Sequence, residues 1–230
     1  MKRTRGLTAH YTDGVAKANV PEQPPSLRAE QVRQTRAALI GAARRLFGKD
    51  GFAATSVEDV AHAARLTTGA LYHHFPNKTA LFESVFEDVH ADLLAASVEA
   101  ASGAHDELEL LSLGFEAFLD AVLQPEVQQI IITDAPAVLG LARFTELDER
   151  YAFAAITATL ASASASGLLR VEDPDTLARL LLGALTRGGM LIASAPRPRE
   201  TRDAVAKSIR ALLNGLSGAP RTSEGEALPS

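Results

Sequence analysis

Between Thr55 and Val85 the sequence reads TSVEDVAHAARLTTGALYHHFPNKTALFESV. Its middle, TTGALYHHF, is too short to serve as a core helix, yet it lies between two strongly apolar patterns of helical spacing. Upstream, Leu39, Ala42, Ala43, Leu46 and Phe47 fall at i, i+3, i+4, i+7 and i+8, the period of an amphipathic helix. Gly51 follows where a left-handed C-terminal residue belongs. Downstream, Phe82, Val85, Phe86, Val89 and Leu93 form a second stripe on a helix expected to run to about Ala101. Between the two, Thr55 and Ser56 can each cap a helix, with Glu58 and Asp59 three residues on as capping-box partners. Val57, Val60, Ala61 and Ala64 make its buried face. Thr67 can cap a second short helix that Leu71 and Phe75 turn back into the core. Pro76 stops that helix, because the residue before a proline is pushed out of the helical region. Asn77 can cap the long helix that follows. Two short helices joined by about three residues make a helix-turn-helix. Gly69 and Ala70 then let the second helix bring its N-terminus close to base edges and phosphates in a major groove about 12 Å wide.

The rest of the chain is also read as helical, so the expected fold class is all-α: an N-terminal three-helix unit joined by a long helix to a helical bundle. Further helices are expected near 105–124, 126–138, 143–166, 174–194 and 200–216, punctuated by Gly167, Pro174, APRPR and Gly215. VQQIIIT fits a buried helix better than a strand. Residues 1–26, with PEQPP and no periodicity, read as a flexible arm, and residues 218–230 as a disordered tail. The expected domains are 27–90 for the helix-turn-helix and 91–217 for the bundle. At 230 residues, 47% apolar and 22% charged, the chain can build an ordinary core.

Charge is divided unevenly. Residues 1–81 carry 12 Lys/Arg against 6 Asp/Glu, and residues 82–230 carry 11 against 22. A basic front on an acidic body points to a polyanion meeting the front alone. There is no Cys, which excludes disulfides, thiolate metal sites and Cys nucleophiles. No G-x-S-x-G, P-loop or metal-ligand spacing is present, so neither an enzyme nor a cofactor is expected. No run of 18 uninterrupted apolar residues occurs and no apolar segment follows MKRTRG. A cytoplasmic protein without a membrane span is therefore expected.

TRAALIGAARRLFGKDGFAATSVEDVAHAARLTTGALYHHFPNKTALFESVFEDV resembles the DNA-binding domain of the TetR family of transcriptional regulators, most specifically in its G-x-L-Y-x-H-F-x-x-K-x-x-L pattern. TDAPAVLG, from Thr133 to Gly140, resembles a stretch of one subset of these regulators. The resemblance covers about 60 residues and implies roles position by position. Thr67, Thr68, Gly69 and Ala70 would open the recognition helix, and His73 would face the groove one turn on. Tyr72 would bond a phosphate. Lys78 would pair with another, where the helix dipole also favours an anion. Thr55 and Ser56 would offer hydroxyls or backbone N–H groups to the opposite strand. The sequence departs from a common pattern at Thr68 and Ala70, where many relatives carry a basic residue and a hydroxyl, so shape and thymine methyl contacts gain weight. His73 and His74 make a poor metal site, since neighbours on a helix point about 100° apart.

The resemblance further implies a homodimer and a small apolar or amphipathic effector. Leu177, Leu180, Leu181, Ala184, Leu185 and Gly188 form one continuous face; Val205, Ile209, Leu212, Leu213 and Leu216 form another. Both faces complete either the monomer core or a four-helix dimer seam, for which Leu177, Leu181, Ala184, Gly188, Leu212 and Leu216 are the candidates. Phe115, Phe118 and Val122 share a helix face, with Phe144 and Tyr151 downstream, and are the candidates for an effector cavity. Arg143, Arg150, Asp120 and Asp134 read as charges in apolar surroundings. The expected function is a ligand-responsive repressor on a pseudopalindromic operator. Activation, or architectural DNA binding without an effector, stays open.

Overall fold

The computed structural model describes residues 27–217. The arm expected over 1–26 and the tail over 218–230 lie outside the described residues. Among those described, regular structure is helical throughout, apart from one isolated bridge between Leu169 and Ser217.

Four helices build the N-terminal head: α1 (Leu27–Ala54), α2 (Val57–Ala63), α3 (Thr68–His74) and α4 (Lys78–Ala100). Local chemistry sets each start. Ser56 and Asp59 form a complete capping box on α2, Thr67 caps α3, and Asn77 caps α4 by accepting from Ala80 N at 2.8 Å. Gly51 interrupts α1 at φ 81 and ψ 164, a region essentially reserved for glycine. The bend brings Phe52 against Phe47 and Phe82, with ring centroids 5.6 and 5.2 Å away. Leu39, Ala42, Val60, Leu71, Phe75 and Leu81 complete the core of the head. Arg36 lies over the Phe75 ring at 4.9 Å and donates to Ser84 Oγ at 2.8 Å, so α1 holds the end of α3 against α4.

The body contains α5 (Glu107–Ala121), α8 (Leu141–Ala165), α9 (Pro174–Ala193) and α10 (Pro198–Gly215). The single helix expected over 126–138 is instead three pieces: α6 (Pro125–Val127), a π-helical turn (Gln128–Asp134) and α7 (Ala135–Leu139). Pro136 is the physical reason. It has no N–H to give, and its ring would meet the carbonyl of Ile132 four residues back. In the widened turn Ala135 N–H reaches Ile130 O instead, and Ile130, Ile131 and Ile132 stay buried.

The helix α4 packs on α1 within the head and on α5 and α8 within the body. The boundary expected at 90–91 therefore falls inside one continuous helix. Polar ties reinforce the junction. Arg44 on α1 pairs with Asp88 and Asp92 on α4 at 2.8 and 2.6 Å, and with Glu126 on α6 at 2.6 Å. Asp134 on the π turn accepts from Phe52 N at 2.7 Å.

By length and composition α9 is apolar enough to cross a membrane, with a mean hydropathy of 1.3. Ala178, Leu182, Leu185 and Ile192 are nonetheless buried in the chain's own core. A Cβ at Gly188 would lie 2.7 Å from Val205 Cγ1, and one at Gly189 would lie 2.7 Å from Ile132 Cδ1. These two glycines let α9 close on α10 and on the π turn.

Candidate nucleic-acid interface and ligand cavity

The first turn of α3 stands free of the core. Thr67 Oγ1 accepts from Ala70 N at 3.1 Å, which satisfies one of the unpaired N–H groups at the helix start. Gly69 is exposed, and a Cβ there would meet only Thr67 Oγ1, at 3.9 Å. Leu71 and Phe75 are buried beneath the helix, while Tyr72 is 51% exposed and His73 is exposed beside it. The preceding turn passes through Arg65 at φ 58, an uncommon conformation for a side chain with a Cβ. Lys78 begins α4 with its ammonium 4.1 Å above the Phe52 ring centroid. That contact fixes the charge beside α3.

Two of the residues expected at phosphates have partners within the chain. Thr55 is buried, and its hydroxyl donates to Gly51 O at 2.9 Å. Ser56 spends both its polar groups on Asp59: Oγ accepts from Asp59 N at 3.0 Å, and Ser56 N donates to Oδ2 at 3.1 Å. Both hydroxyls are thus engaged within the chain. His73 and His74 meet edge to face at 5.6 Å, and no group of three or more potential ligands for a metal ion occurs among the described residues.

A cavity of about 90 Å³ lies in the body between α4, α5, α8 and α9. Phe115, Phe118 and Tyr151 line it among aliphatic neighbours such as Leu93, Leu111 and Ile156. Val122 and Phe144 do not. Val122 is fully buried near Gly189, and Phe144 packs on Phe86 with centroids 5.9 Å apart. Nor are the four expected charges in the cavity wall. Arg150 pairs with Glu87 at 2.8 Å, Arg143 pairs with Glu83, Asp120 pairs with Arg202 at 2.7 Å, and Asp134 holds Phe52.

The polar part of the wall is His90, Ser97, Asp148, Tyr151, Thr159 and Thr186. His90 Nε2 stands 3.7 Å from Asp148 Oδ1 and has no hydrogen-bond partner. The His90 ring stacks on Tyr151 at 5.5 Å with an interplanar angle of 25° and touches Phe86 at 4.3 Å. Burial holds the His90 pKa down at about 4. Burial pushes Asp148 up to about 6, against the opposing hydrogen bond from Thr186.

Residues 39–85 match the family of bacterial regulatory proteins described as the tetR family, and residues 108–216 match the tetracyclin repressor-like C-terminal domain. A solved TetR-family transcriptional regulator from Pectobacterium atrosepticum is 32% identical, with a TM-score of 0.74, covering 84% of this chain and 98% of that one. The chain belongs to the TetR family. Among curated relatives, the TetC protein of transposon Tn10 from Escherichia coli is 25% identical over 154 residues, which are 67% of this chain and 78% of TetC. The probable HTH-type transcriptional regulator ArpR of Pseudomonas putida is 37% identical over 107 residues, 44% of this chain. That alignment spans 49% of ArpR, about half its length.

For a TetR-family regulator the outer face of α9 and α10 is the remaining surface of interest, and here the expected residues divide. Leu181 and Gly188 point into the chain's own core. Leu177, Ala184 and Leu216 are half-buried, and Leu212 is 61% exposed. The outward stripe of α9 is instead Leu180, Gly183, Arg187 and Leu191, and α10 exposes Ala204, Ser208 and Leu212. Leu180 is 66% exposed, and a Cβ at Gly183 would meet nothing within 4 Å.

Proposed function

We propose that the chain is a homodimeric, ligand-responsive repressor that binds a two-fold symmetric operator in the cytoplasm. One observation carries the reading: a short, capped helix, α3, presents its small-residue N-terminus outward while Leu71 and Phe75 anchor it from below. Such a helix fits a major groove, and Tyr72 and Lys78 flank it at the positions where phosphates pass. One short helix reads only a few base pairs, so two copies related by a two-fold axis are needed for an operator of useful specificity. Leu180, Gly183, Leu191 and Leu212 supply exposed apolar positions for that pairing, with Arg187 between Gly183 and Leu191. An effector in the cavity would touch α4 at His90, Leu93 and Ser97. The same helix begins at Lys78, so the effector and the operator bias one rigid element. Coupling of this kind is typically about 1–3 kcal/mol, or roughly 5- to 150-fold in affinity, and it is reciprocal.

Genome-wide mapping of bound DNA tests the operator directly, since an architectural protein would give no shared palindrome. The docking is tested by salt titration. Lys78→Ala is expected to weaken operator and random DNA alike and to flatten the slope of log K against log salt by about one unit per subunit. Thr68→Ala or His73→Ala is expected to relax base preference at one position per half-site with the slope nearly intact. A Lys78→Ala protein with altered base preference and an unchanged slope would refute this docking.

A further inference from the structure

The cavity has one feature that an apolar site does not need. His90 Nε2 is buried in a side chain only 7% exposed, and it has no hydrogen-bond partner. A buried polar atom without a partner is costly and uncommon in folded proteins. Its nearest carboxylate oxygen, Asp148 Oδ1, is 3.7 Å away, too far for a hydrogen bond. The gap suits a third atom: one oxygen can stand about 2.8 Å from each of two atoms at that separation.

We propose that the His90–Asp148 end of the cavity recognises the hydroxyl group of an uncharged ligand with a small aromatic body, the hydroxyl oxygen bridging His90 Nε2 and Asp148 Oδ1. The proposal rests on reading the cavity as the effector site, and it names the chemistry that site selects.

A hydroxyl both donates and accepts, and the two partners ask for both. Burial keeps His90 neutral at pH 7, so its Nε2 either donates or accepts according to the tautomer. Asp148, raised only to about 6 and already bonded by the Thr186 hydroxyl, is mostly ionised at pH 7 and can only accept. The ligand hydroxyl therefore donates to Oδ1 and accepts from His90 Nε2 in its Nε2–H tautomer. An anionic ligand is disfavoured, because neither Lys nor Arg lines the cavity and Asp148 repels it. A cationic amine would lose its water to gain a single buried carboxylate, and such exchanges often fail to break even. The ring stack of His90 on Tyr151, with Phe115 and Phe118 on the wall, gives an aromatic body flat surfaces to meet. The volume of about 90 Å³ is several times the space needed for one water and limits the aromatic body to no more than a single ring.

The test is calorimetric titration of the full-length protein with four probes that share an ethylphenyl body: 4-ethylphenol, ethylbenzene, 4-ethylbenzoate and 4-ethylbenzylamine. The phenol is expected to bind at least tenfold more tightly than each of the other three. In Asp148→Asn, which keeps the side-chain shape, and in His90→Phe, the preference for phenol over ethylbenzene is expected to shrink to about twofold or less, with ethylbenzene affinity retained. Two variants at different sites guard against loss of folding in one, and thermal melts confirm that each is folded. A charged probe as the tightest binder, a phenol preference that survives in both variants, or no binding by any probe at millimolar concentration would overturn the proposal. Operator titration in the presence of 4-ethylphenol separates this proposal from the reading beneath it. Selective phenol binding that leaves operator affinity unchanged upholds the hydroxyl site and removes its role in induction.

Discussion

Leu180→Glu combined with Leu212→Glu is expected to give a folded protein that sediments as a monomer at micromolar concentration and binds its operator at least a hundredfold more weakly. Both side chains are largely exposed in the isolated chain, at 66% and 61%, so the substitutions leave the core untouched. In a two-fold seam each Glu would be taken out of water at a position now held by an apolar leucine, which costs several kcal/mol. The operator then loses the second recognition helix as a tethered partner, and tethering typically contributes about 10²–10⁴ in affinity. Leu181 gives the contrast. At 5% exposure it faces the chain's own core, so Leu181→Glu is expected to unfold the body instead of separating two intact chains. Sedimentation velocity with circular dichroism distinguishes the two outcomes. A double variant that remains dimeric would place the seam elsewhere.

The second large effect is on acid stability, and it has opposite signs at two residues 3.7 Å apart. Burial lowers His90 from 6.5 to about 4. As pH falls below 6.5 the unfolded chain takes up this proton while the folded chain refuses it. The stability contributed by neutral His90 is therefore present above pH 6.5 and is lost on the way down to about 4. Burial raises Asp148 from 3.8 to about 6. The folded chain keeps a proton that the unfolded chain releases, so this contribution is present below pH 3.8 and is lost as pH rises through about 6. At about 1.4 kcal/mol per unit, each amounts to roughly 3 kcal/mol. In the wild type the two oppose each other and nearly cancel between about pH 4 and 6. Asp148→Asn leaves His90 uncompensated, and its stability relative to wild type is expected to fall by about 3 kcal/mol between pH 7 and pH 4. His90→Gln leaves Asp148 uncompensated, and its relative stability is expected to rise over the same interval by a similar amount. Urea unfolding at pH 4, 5, 6 and 7 measures both. Relative slopes of the same sign would show that the two groups do not titrate in this way.

What the chain discloses before it is folded depends on the range over which each signal acts. Ser56, Thr67 and Asn77 cap the helices that follow by bonding backbone three residues away, so the head was legible almost residue by residue. Gly51 was legible for the same reason: its conformation is its own. The π turn was not, because Pro136 acts on the hydrogen-bond ladder four residues upstream, and whether that ladder breaks or widens depends on how Ile130–Ile132 are packed. On α9 the apolar content was plain but its phase was not. Leu180 and Leu181 are both leucines, and only the placement of Val205 and Ile132 against Gly188 and Gly189 turns one outward and the other inward. Thr55 and Ser56 carried the right chemistry for a phosphate, yet nearer partners, Gly51 O and Asp59, claim it first. His90 and Asp148 were missed for a different reason. His90 follows Phe86 and Val89 on an apolar stripe, a weak hint, whereas Asp148 sits in the polar run ELDER and reads as surface. Only the packing of α8 on α4 turns it inward.

The length of α4 has a mechanical meaning. It begins at Lys78 and passes the cavity at His90, so the two lie about 18 Å apart along one unbroken axis. Pivoted near His90, a tilt of about 5° swings the tip through about 1.6 Å at that arm length. A hydrogen bond tolerates about 0.5 Å. In a two-fold assembly both tips must also meet grooves roughly 34 Å apart, so the errors at the two ends add. With effector and operator at their proposed sites, the helix would work as a lever whose gain is set by residue count: a small displacement at the wall of the cavity would be magnified into a mismatch of pitch with the DNA.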